Sequence, residues 1–220
     1  MYEQQILNLI KKESPQNPLA YVQNIVRSYA SDNLREVMLA DRECNADAFR
    51  TTFSGNIEAE ILVLNDRPRP GQSSIHSMAD SDELELLSKV FEHFDYNPQD
   101  AFYIDAVNCL TYKEVQGEKI VRAPSRQEIE ACRVFVDHAI DIVRPKVILL
   151  LGPIASGMYQ NEAFMSIRGE VVLTKGIQSI VTYNPEKLLN RQGQIDEHSL
   201  SDMKEEFVQD IESLLTILKN

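Results

Sequence analysis

The chain lacks the features that would mark a secreted or membrane protein. It has only three cysteines in 220 residues, and an odd number argues against a disulfide framework and favours metal binding or simple burial. No stretch approaches the roughly 20 apolar residues that a membrane span needs, and residues 1–20 contain no apolar run of signal-peptide length. We therefore expect a cytoplasmic protein without a membrane contact.

Basic residues are outnumbered by acidic ones, 22 against 34, so the formal net charge is −12. Proteins that bind phosphate backbones normally present a basic surface. The deficit is uneven: residues 101–192 carry 11 basic and 10 acidic side chains, whereas residues 193–220 carry 2 and 7. The near-neutral middle leaves weak DNA binding open, and the acidic ends are open to a protein partner. A plain solvated acidic surface explains the same charges.

Length and composition predict one globular domain over residues 1–220, with residues 1–40 as an N-terminal helical segment and a monomeric state. The chain is long enough for a sizeable core, and 43% hydrophobic residues is ordinary for a soluble protein. Nothing in the sequence suggests a second domain.

Hydrophobic periodicity predicts an alternation of helices and strands. Helices are expected over residues 3–12, 18–40, 83–93, 125–143, 154–160 and 201–218. In the second helix, Val22, Ile25, Val26, Tyr29, Leu34, Val37 and Met38 recur at near-helical spacing. Continuous apolar runs at 61–64 and 147–151 are typical of strands buried on both faces. A polar stretch at 112–119 predicts a hairpin with Gly117 at its tip, and Ser125 with Glu128 predicts a capping box. The alternation predicts a mainly parallel sheet covered by helices on both faces.

Several short motifs follow these elements in a fixed order. They cover Cys44 with Arg50, Asn65 to Arg69, Asp105 to Cys109, Glu128 to Cys132, Pro145 to Gly152, Arg168 with Gly169, and Asn184 to Leu189. In order and rough spacing they resemble the uracil-DNA glycosylase superfamily, and most closely its iron–sulfur family 4 type. The resemblance implies a three-layer α/β/α fold with a mainly parallel central sheet. It also implies a base-excision activity, hydrolysis of N-glycosidic bonds on DNA.

The same resemblance implies an iron–sulfur cluster of the 4Fe-4S type. Its ligands would be Cys44, Cys109 and Cys132, with Asp41 in place of a fourth thiolate. Three thiolates hold iron well, and a carboxylate is a harder and weaker fourth ligand. Three buried thiols beside a surface aspartate are the alternative, since cysteine is among the most buried residue types.

The resemblance also implies a base-binding pocket at the carboxyl ends of the strands. Asp66 would position water and Asn184 would donate a hydrogen bond to the leaving base. Substrate contacts would come from Asn65, Arg67, Pro68, Asp105, Arg168 and Pro185. The chain departs from the family pattern here: both glycines of the first loop are replaced, Asp105 replaces an asparagine, and Asn184 replaces a histidine. The stretch 77–79 carries no aromatic ring where the family has a phenylalanine.

These departures leave three functional classes open. The first is a DNA glycosylase, and the second is an inactive superfamily member that binds nucleic acid or a protein partner through the inherited face. The third is an α/β domain whose pocket serves something unrelated. Each altered residue also has a plain role: Asp66 as a loop-capping carboxylate, Asp105 paired with a neighbouring arginine, and Asn184 as a turn residue before proline.

Overall fold

The computed structural model describes residues 18–41 and 49–219. The part of the prediction that concerns a helix over 3–12 lies outside these residues. The helices are α1 (Pro18–Ala40), α2 (Asp82–His93), α3 (Arg126–Val143), α4 (Pro153–Gly157), α5 (Phe164–Ile167), α6 (Pro185–Leu188) and α7 (Glu197–Lys219). The strands are β1 (Ser54–Gly55), β2 (Ile61–Asn65), β3 (Phe102–Asp105), β4 (Tyr112–Val115), β5 (Glu118–Val121), β6 (Val147–Leu151), β7 (Val171–Thr174) and β8 (Ile177–Thr182).

Six of these strands form one sheet in the order β1-β3-β2-β6-β8-β7. The four inner strands run parallel, and the short edge strands β1 and β7 run antiparallel to their neighbours. The register aligns Asn65 with Asp105 and with Leu151, so the strand ends meet at one edge. The predicted α/β fold with a mainly parallel central sheet is confirmed.

Helices cover both faces of the sheet, which explains why the inner strands are apolar throughout. On one face the core contains Leu34 and Met38 of α1 and the inner side of α3. On the other face it contains α2 and α7, with Phe207 and Ile211 fully buried. Over the described residues, none of the helices combines the length and the apolar character needed to cross a membrane.

The helix predicted over 18–40 is confirmed as α1 (Pro18–Ala40). Of the apolar residues that recur along it, Val26 and Val37 are each 54% exposed and Tyr29 is 49% exposed. Among the described side chains of this helix, Leu34 and Met38 belong to the core. Helical spacing identified apolar positions without revealing how narrow the buried stripe would be.

Two helix boundaries differ from the prediction by several residues. The helix expected at 154–160 ends at Gly157, and α7 begins at Glu197, four residues before the expected start. Glycine is a poor helix former, which suits an early end. The predicted hairpin is confirmed: β4 pairs with β5, and Gln116 and Gly117 both have positive φ in the turn. Such a two-residue turn matches the twist of the paired strands.

The start of α3 shows the predicted capping box. The Ser125 hydroxyl accepts a hydrogen bond from the Glu128 amide at 3.3 Å, and the Glu128 carboxylate accepts one from the Ser125 amide at 2.6 Å. Arg122 also binds Glu128 through two hydrogen bonds of 2.7 Å each. This guanidinium holds the pKa of Glu128 at about 2. The capping box therefore fixes where α3, the helix that follows the β4–β5 hairpin in the chain, begins.

We expect Ser125→Ala to lower the free energy of unfolding by about 1 kcal/mol, because the first turn of α3 loses a capping acceptor. Urea denaturation followed by circular dichroism measures this. Ser213→Ala is the matched control, since Ser213 is exposed within α7 and bonds only to a carbonyl of its own helix. An equal loss in both variants would contradict the capping role.

Candidate active site

A cleft of about 420 Å³ opens where the strand order reverses its direction. β2 and β6 are neighbours, but the chain leaves β2 for β3 on one side and leaves β6 for β8 on the other. Open α/β sheets bind ligands at such switch points, outside the carboxyl ends of the strands. The residues around this cleft are Asp66, Arg67, Ala123, Pro153, Ile154, Phe164, Tyr183, Asn184, Glu186 and Lys187.

Asp66 follows β2 directly and joins it to the start of α4. Its Oδ1 atom accepts hydrogen bonds of 2.8 Å from the backbone amides of both Ile154 and Ala155. This approach requires glycine at position 152, where φ is +97° and a Cβ would overlap the carboxylate. Burial raises the pKa of Asp66 to about 7, against the opposing effect of the two amides and Arg67. Asp66 can therefore take up or release a proton near neutral pH.

The cleft has aromatic and aliphatic walls. The rings of Phe164 and Tyr183 meet edge to face with centroids 5.9 Å apart. Lys187 Nζ lies 5.8 Å from the Tyr183 ring centroid, and Ile154 adds an aliphatic surface. An apolar space with a few polar groups at its edge is typical of sites for small planar ligands. Sequence reasoning missed both rings; only Tyr183 had a signal, its place between a strand and the Asn184 motif.

Asp105 ends β3 and does not line the cleft. It is 2% exposed and accepts hydrogen bonds from Thr51 Oγ1 at 2.5 Å, Asn65 Nδ2 at 2.7 Å and Ser77 Oγ at 3.0 Å. Burial raises the pKa of Asp105 to about 6, although these three donors oppose the shift. The sequence predicted that Asp105 pairs with an arginine, but its hydrogen-bond donors are two hydroxyls and an amide. The roles of Thr51 and Ser77 carried no signal in the sequence.

Asn184 connects the ends of β2 and β6 beside the cleft. Its Oδ1 atom accepts a hydrogen bond from the Glu186 amide at 2.9 Å, so Asn184 caps α6. This agrees with its alternative role as a turn residue before proline. Its Nδ2 atom donates to Asn65 Oδ1 at 2.9 Å and to the Leu151 carbonyl at 3.3 Å. The space beside Asn65 and Asn184 is only about 10 Å³. That volume holds about one water molecule, and a nucleobase does not fit.

The arginines that were expected to meet a substrate are ion-paired within the chain. Arg168 binds Asp210 and Glu206 at 3.2 Å each, and its guanidinium lies 5.4 Å from the Tyr183 ring. Arg67 lies 3.8 Å from Glu186. The two predicted prolines, 68 and 185, are buried at the loop bases. Asp210 was missed because it stands on the apolar side of α7, where the pattern predicts only core residues.

Two of the predicted cluster ligands, Cys109 and Cys132, lie in the segment after β3 and in the first half of α3. Cys109 and Cys132 are buried and pack together with Val107. Cys109 is disulfide-bonded, which corrects the expectation against disulfides, and Cys132 is a free thiol. Cys132 Sγ lies 3.1 Å from Asn108 Oδ1. Burial raises the pKa of Cys132 to about 11, and the charge of Asp41 adds to the shift.

The donor set suits iron only in part. Cys109 and Cys132 belong to one buried cluster, and the charge of Asp41 acts on Cys132, while Cys44 lies outside residues 18–41 and 49–219. Inside those ranges, no three side chains of His, Cys, Asp or Glu converge as a metal site would require.

Comparison with known proteins agrees with the motif order. The family model described as "Uracil DNA glycosylase superfamily" matches residues 51–212. A type-4 uracil-DNA glycosylase from Archaeoglobus fulgidus is 23% identical over 186 residues, which cover 79% of this chain and 89% of that protein. A protein of the same name from Sulfurisphaera tokodaii is 24% identical over 168 residues, which cover 70% of this chain and 73% of that protein.

The matched segment contains β2, β3, β6 and β8, together with the loops that form the cleft and the small space beside Asn65 and Asn184. With this match over most of its length, and with the strand-end loops in the expected order, the chain belongs to the uracil DNA glycosylase superfamily.

Proposed function

We propose that the chain is a uracil-DNA glycosylase-like enzyme that hydrolyses the N-glycosidic bond of a base in DNA. The observation that carries this proposal is the position of Asp66, a carboxyl group with a pKa of about 7 at the edge of the switch-point cleft. Asn184 lines the same cleft. The names of the two relatives support the reaction class.

The geometry supports a division of roles between these two residues. Asp66 in its ionised form accepts a proton from a water molecule as the water oxygen bonds to C1′ of the deoxyribose. The bond between C1′ and the base nitrogen breaks, and the base leaves with the electron pair. Asn184 donates an N–H hydrogen bond to the negative charge on the base. This donation requires Asn184 Nδ2 to give up its present bond to Asn65.

We expect base release to rise with pH through about 7, because Asp66 accepts a proton only after it has lost its own. Asp66→Asn should lower the rate by about 100-fold or more and remove this pH dependence. The asparagine oxygen can still accept the two α4 amides, so the fold should persist. The measurement is base release from labelled DNA carrying a panel of deaminated and modified bases, between pH 5.5 and 8.5.

Asp141→Asn is the control for the pH profile, because Asp141 is exposed on α3 and bonds to Lys175 away from the cleft. Equal rates for wild type and Asp66→Asn would show that Asp66 does not activate water.

A second candidate is an inactive superfamily member that binds nucleic acid or a protein. The small space beside Asn65 and Asn184 favours it: about 10 Å³ remains, and both Nδ2 hydrogens of Asn184 are already used. Loss of one donor to a developing anion typically costs about 100- to 1000-fold in rate, so uracil release by the wild-type chain should be slow. A folded protein that releases no base from the panel would favour this candidate.

DNA is the proposed substrate of the first candidate and a proposed partner of the second. Arg67, Arg168 and Arg191 are neutralised by carboxylates within the chain. Lys187 remains as a cation at the mouth of the cleft, on the edge where the strands end. Affinity for DNA should therefore be weak, and it should fall with rising salt in proportion to the few phosphate contacts that remain. A monomeric state, a protein partner for the acidic surface and a cytoplasmic location stay predictions from the sequence.

We expect Lys187→Glu to weaken DNA binding and to reduce the salt dependence by about one counterion, since each phosphate contact contributes roughly one. Fluorescence anisotropy with a labelled oligonucleotide at several salt concentrations measures both. Lys146→Glu is the matched control, because Lys146 precedes β6 at the opposite edge of the sheet and pairs with Glu60. If the two variants weaken binding equally, the cleft edge is not the DNA-binding face.

We also propose a 4Fe-4S cluster on Cys44, Cys109, Cys132 and Asp41. The place of Cys109 and Cys132 in one buried cluster supports it, as does the charge of Asp41 acting on Cys132. The disulfide at Cys109 would have to be reduced before the thiolate could bind iron. A bound cluster would supply a structural cross-link between the end of α1, the segment after β3 and the start of α3. It has no step in the proposed hydrolysis.

Anaerobic purification should give a brown protein with about four iron atoms per chain when the site is full. Iron analysis and visible absorption measure this. Asp41→Cys should slow the loss of iron in air, because a thiolate is the softer ligand. Colourless, iron-free protein from an anaerobic preparation, in both forms, would refute the cluster.

A further inference from the structure

The side chain of Asn65 occupies the pocket between the ends of β2 and β3. It is 8% exposed, and its Nδ2 atom donates to Asp105 Oδ1 at 2.7 Å and to the Arg67 carbonyl at 3.0 Å. Its Oδ1 atom accepts from Asn184 Nδ2 at 2.9 Å. One carboxamide thus links both groups that the family resemblance assigns to the base. The space left beside it, about 10 Å³, is too small for a ring.

The partners determine which way the amide of Asn65 is turned. An ionised carboxylate can only accept hydrogen bonds, so the NH₂ group of Asn65 faces Asp105. Its oxygen then faces the N–H group of Asn184. Asn65 therefore presents a donor to Asp105 and, on the same carbon atom, an acceptor to Asn184.

This pattern matches the edge of an aminated nucleobase. In cytosine the exocyclic amino group stands beside the ring acceptor N3, and in adenine the amino group stands beside N1, so each has a donor next to an acceptor on one carbon. Uracil presents the reverse, because its O4 accepts and its neighbouring N3–H donates. O4 would face the Asp105 carboxylate, with two acceptors in contact.

We propose that Asp105 and Asn184 form a recognition pair for a base edge with an amino group beside a ring acceptor, and that Asn65 is the built-in occupant of that site. Asn65 is then the residue that determines which bases enter. This inference rests on the proposed function, because it takes the strand-end pocket to be where a base binds. It changes the expected substrate class from uracil to an aminated base.

The small space shares three lining residues with the larger cleft: Arg67, Asn184 and Glu186 line both. A base in the cleft is therefore close to Asn184, and it reaches Asp105 only after the Asn65 side chain has rotated away from β3 or has been truncated.

The test is nucleobase binding to Asn65→Gly, which removes the occupant. Cytosine, adenine and uracil are titrated at pH 8, where Asp105 is ionised, and the Asn184 side-chain amide is followed by NMR. We expect cytosine and adenine to bind at least about tenfold more tightly than uracil, since a paired contact to a base edge discriminates by this order. Wild type should bind all three much more weakly.

Two further variants separate the specificity from a simple enlargement of the pocket. In Asn65→Gly combined with Asp105→Asn, the new amide can donate to O4, so the preference should reverse towards uracil. Gln72→Ala is the matched control, because Gln72 lines the same small space without bonding to Asp105 or Asn184; it should gain no base binding. Asn65→Ala serves as the occupant-free variant if the glycine form does not fold.

The inference is overturned if the folded Asn65 variants bind no base, if they bind uracil as tightly as cytosine, or if wild type binds cytosine as tightly as they do. Release of bases from DNA is measured in parallel. Variants that bind cytosine yet release no base would refute the proposed hydrolysis and leave the recognition pair standing. Release of uracil by wild type with no base binding in the variants would refute the recognition pair and leave the hydrolysis standing.

Discussion

A buried carboxylate has to be satisfied from every side, and Asp105 imposes this requirement on the centre of the molecule. Its three donors come from the segment before β1, from the end of β2 and from the loop before α2. An unpaired charge at this depth would cost several kcal/mol, so these segments are held together at one point. Through Asn65 the same constraint extends to Asn184 and the start of α6. This chain of hydrogen bonds therefore holds the strand-end loops in their positions relative to one another.

The sequence predicted the elements of the fold well because the inner strands are apolar on both faces and the motifs follow them in order. The capping box of α3 and the β4–β5 hairpin were predicted because each is local, with Ser125 and Glu128 three residues apart and Gly117 at the tip of a two-residue turn. The exposed side of α1 was not predictable from periodicity. Val26 and Val37 have the right spacing, but burial depends on how much of a helix the neighbouring layer covers.

The site was predictable as a set of positions and not as a set of contacts. Asp66, Asp105 and Asn184 were identified from motif order, and all three do lie at the carboxyl edge of the sheet. Their partners come from distant segments: Thr51 lies 54 residues before Asp105, and Asn65 lies 119 residues before Asn184. Hydrogen bonds over such separations leave no local pattern. Phe164 was missed for a different reason: α5 is a single turn, which is too short to show an amphipathic pattern.

The attachment of Asp66 to the start of α4 couples ligand binding at the cleft to proton uptake. A carboxyl group with a pKa near 7 is partly protonated at neutral pH, so a ligand that brings negative charge draws a proton onto it. A ligand that brings a hydrogen-bond donor favours the ionised form. By linkage, the affinity of either ligand varies with pH, and the number of protons exchanged reports the charge of the group that faces Asp66. Proton release on binding, read in buffers of different ionisation enthalpy, would reveal the polarity of an unidentified ligand.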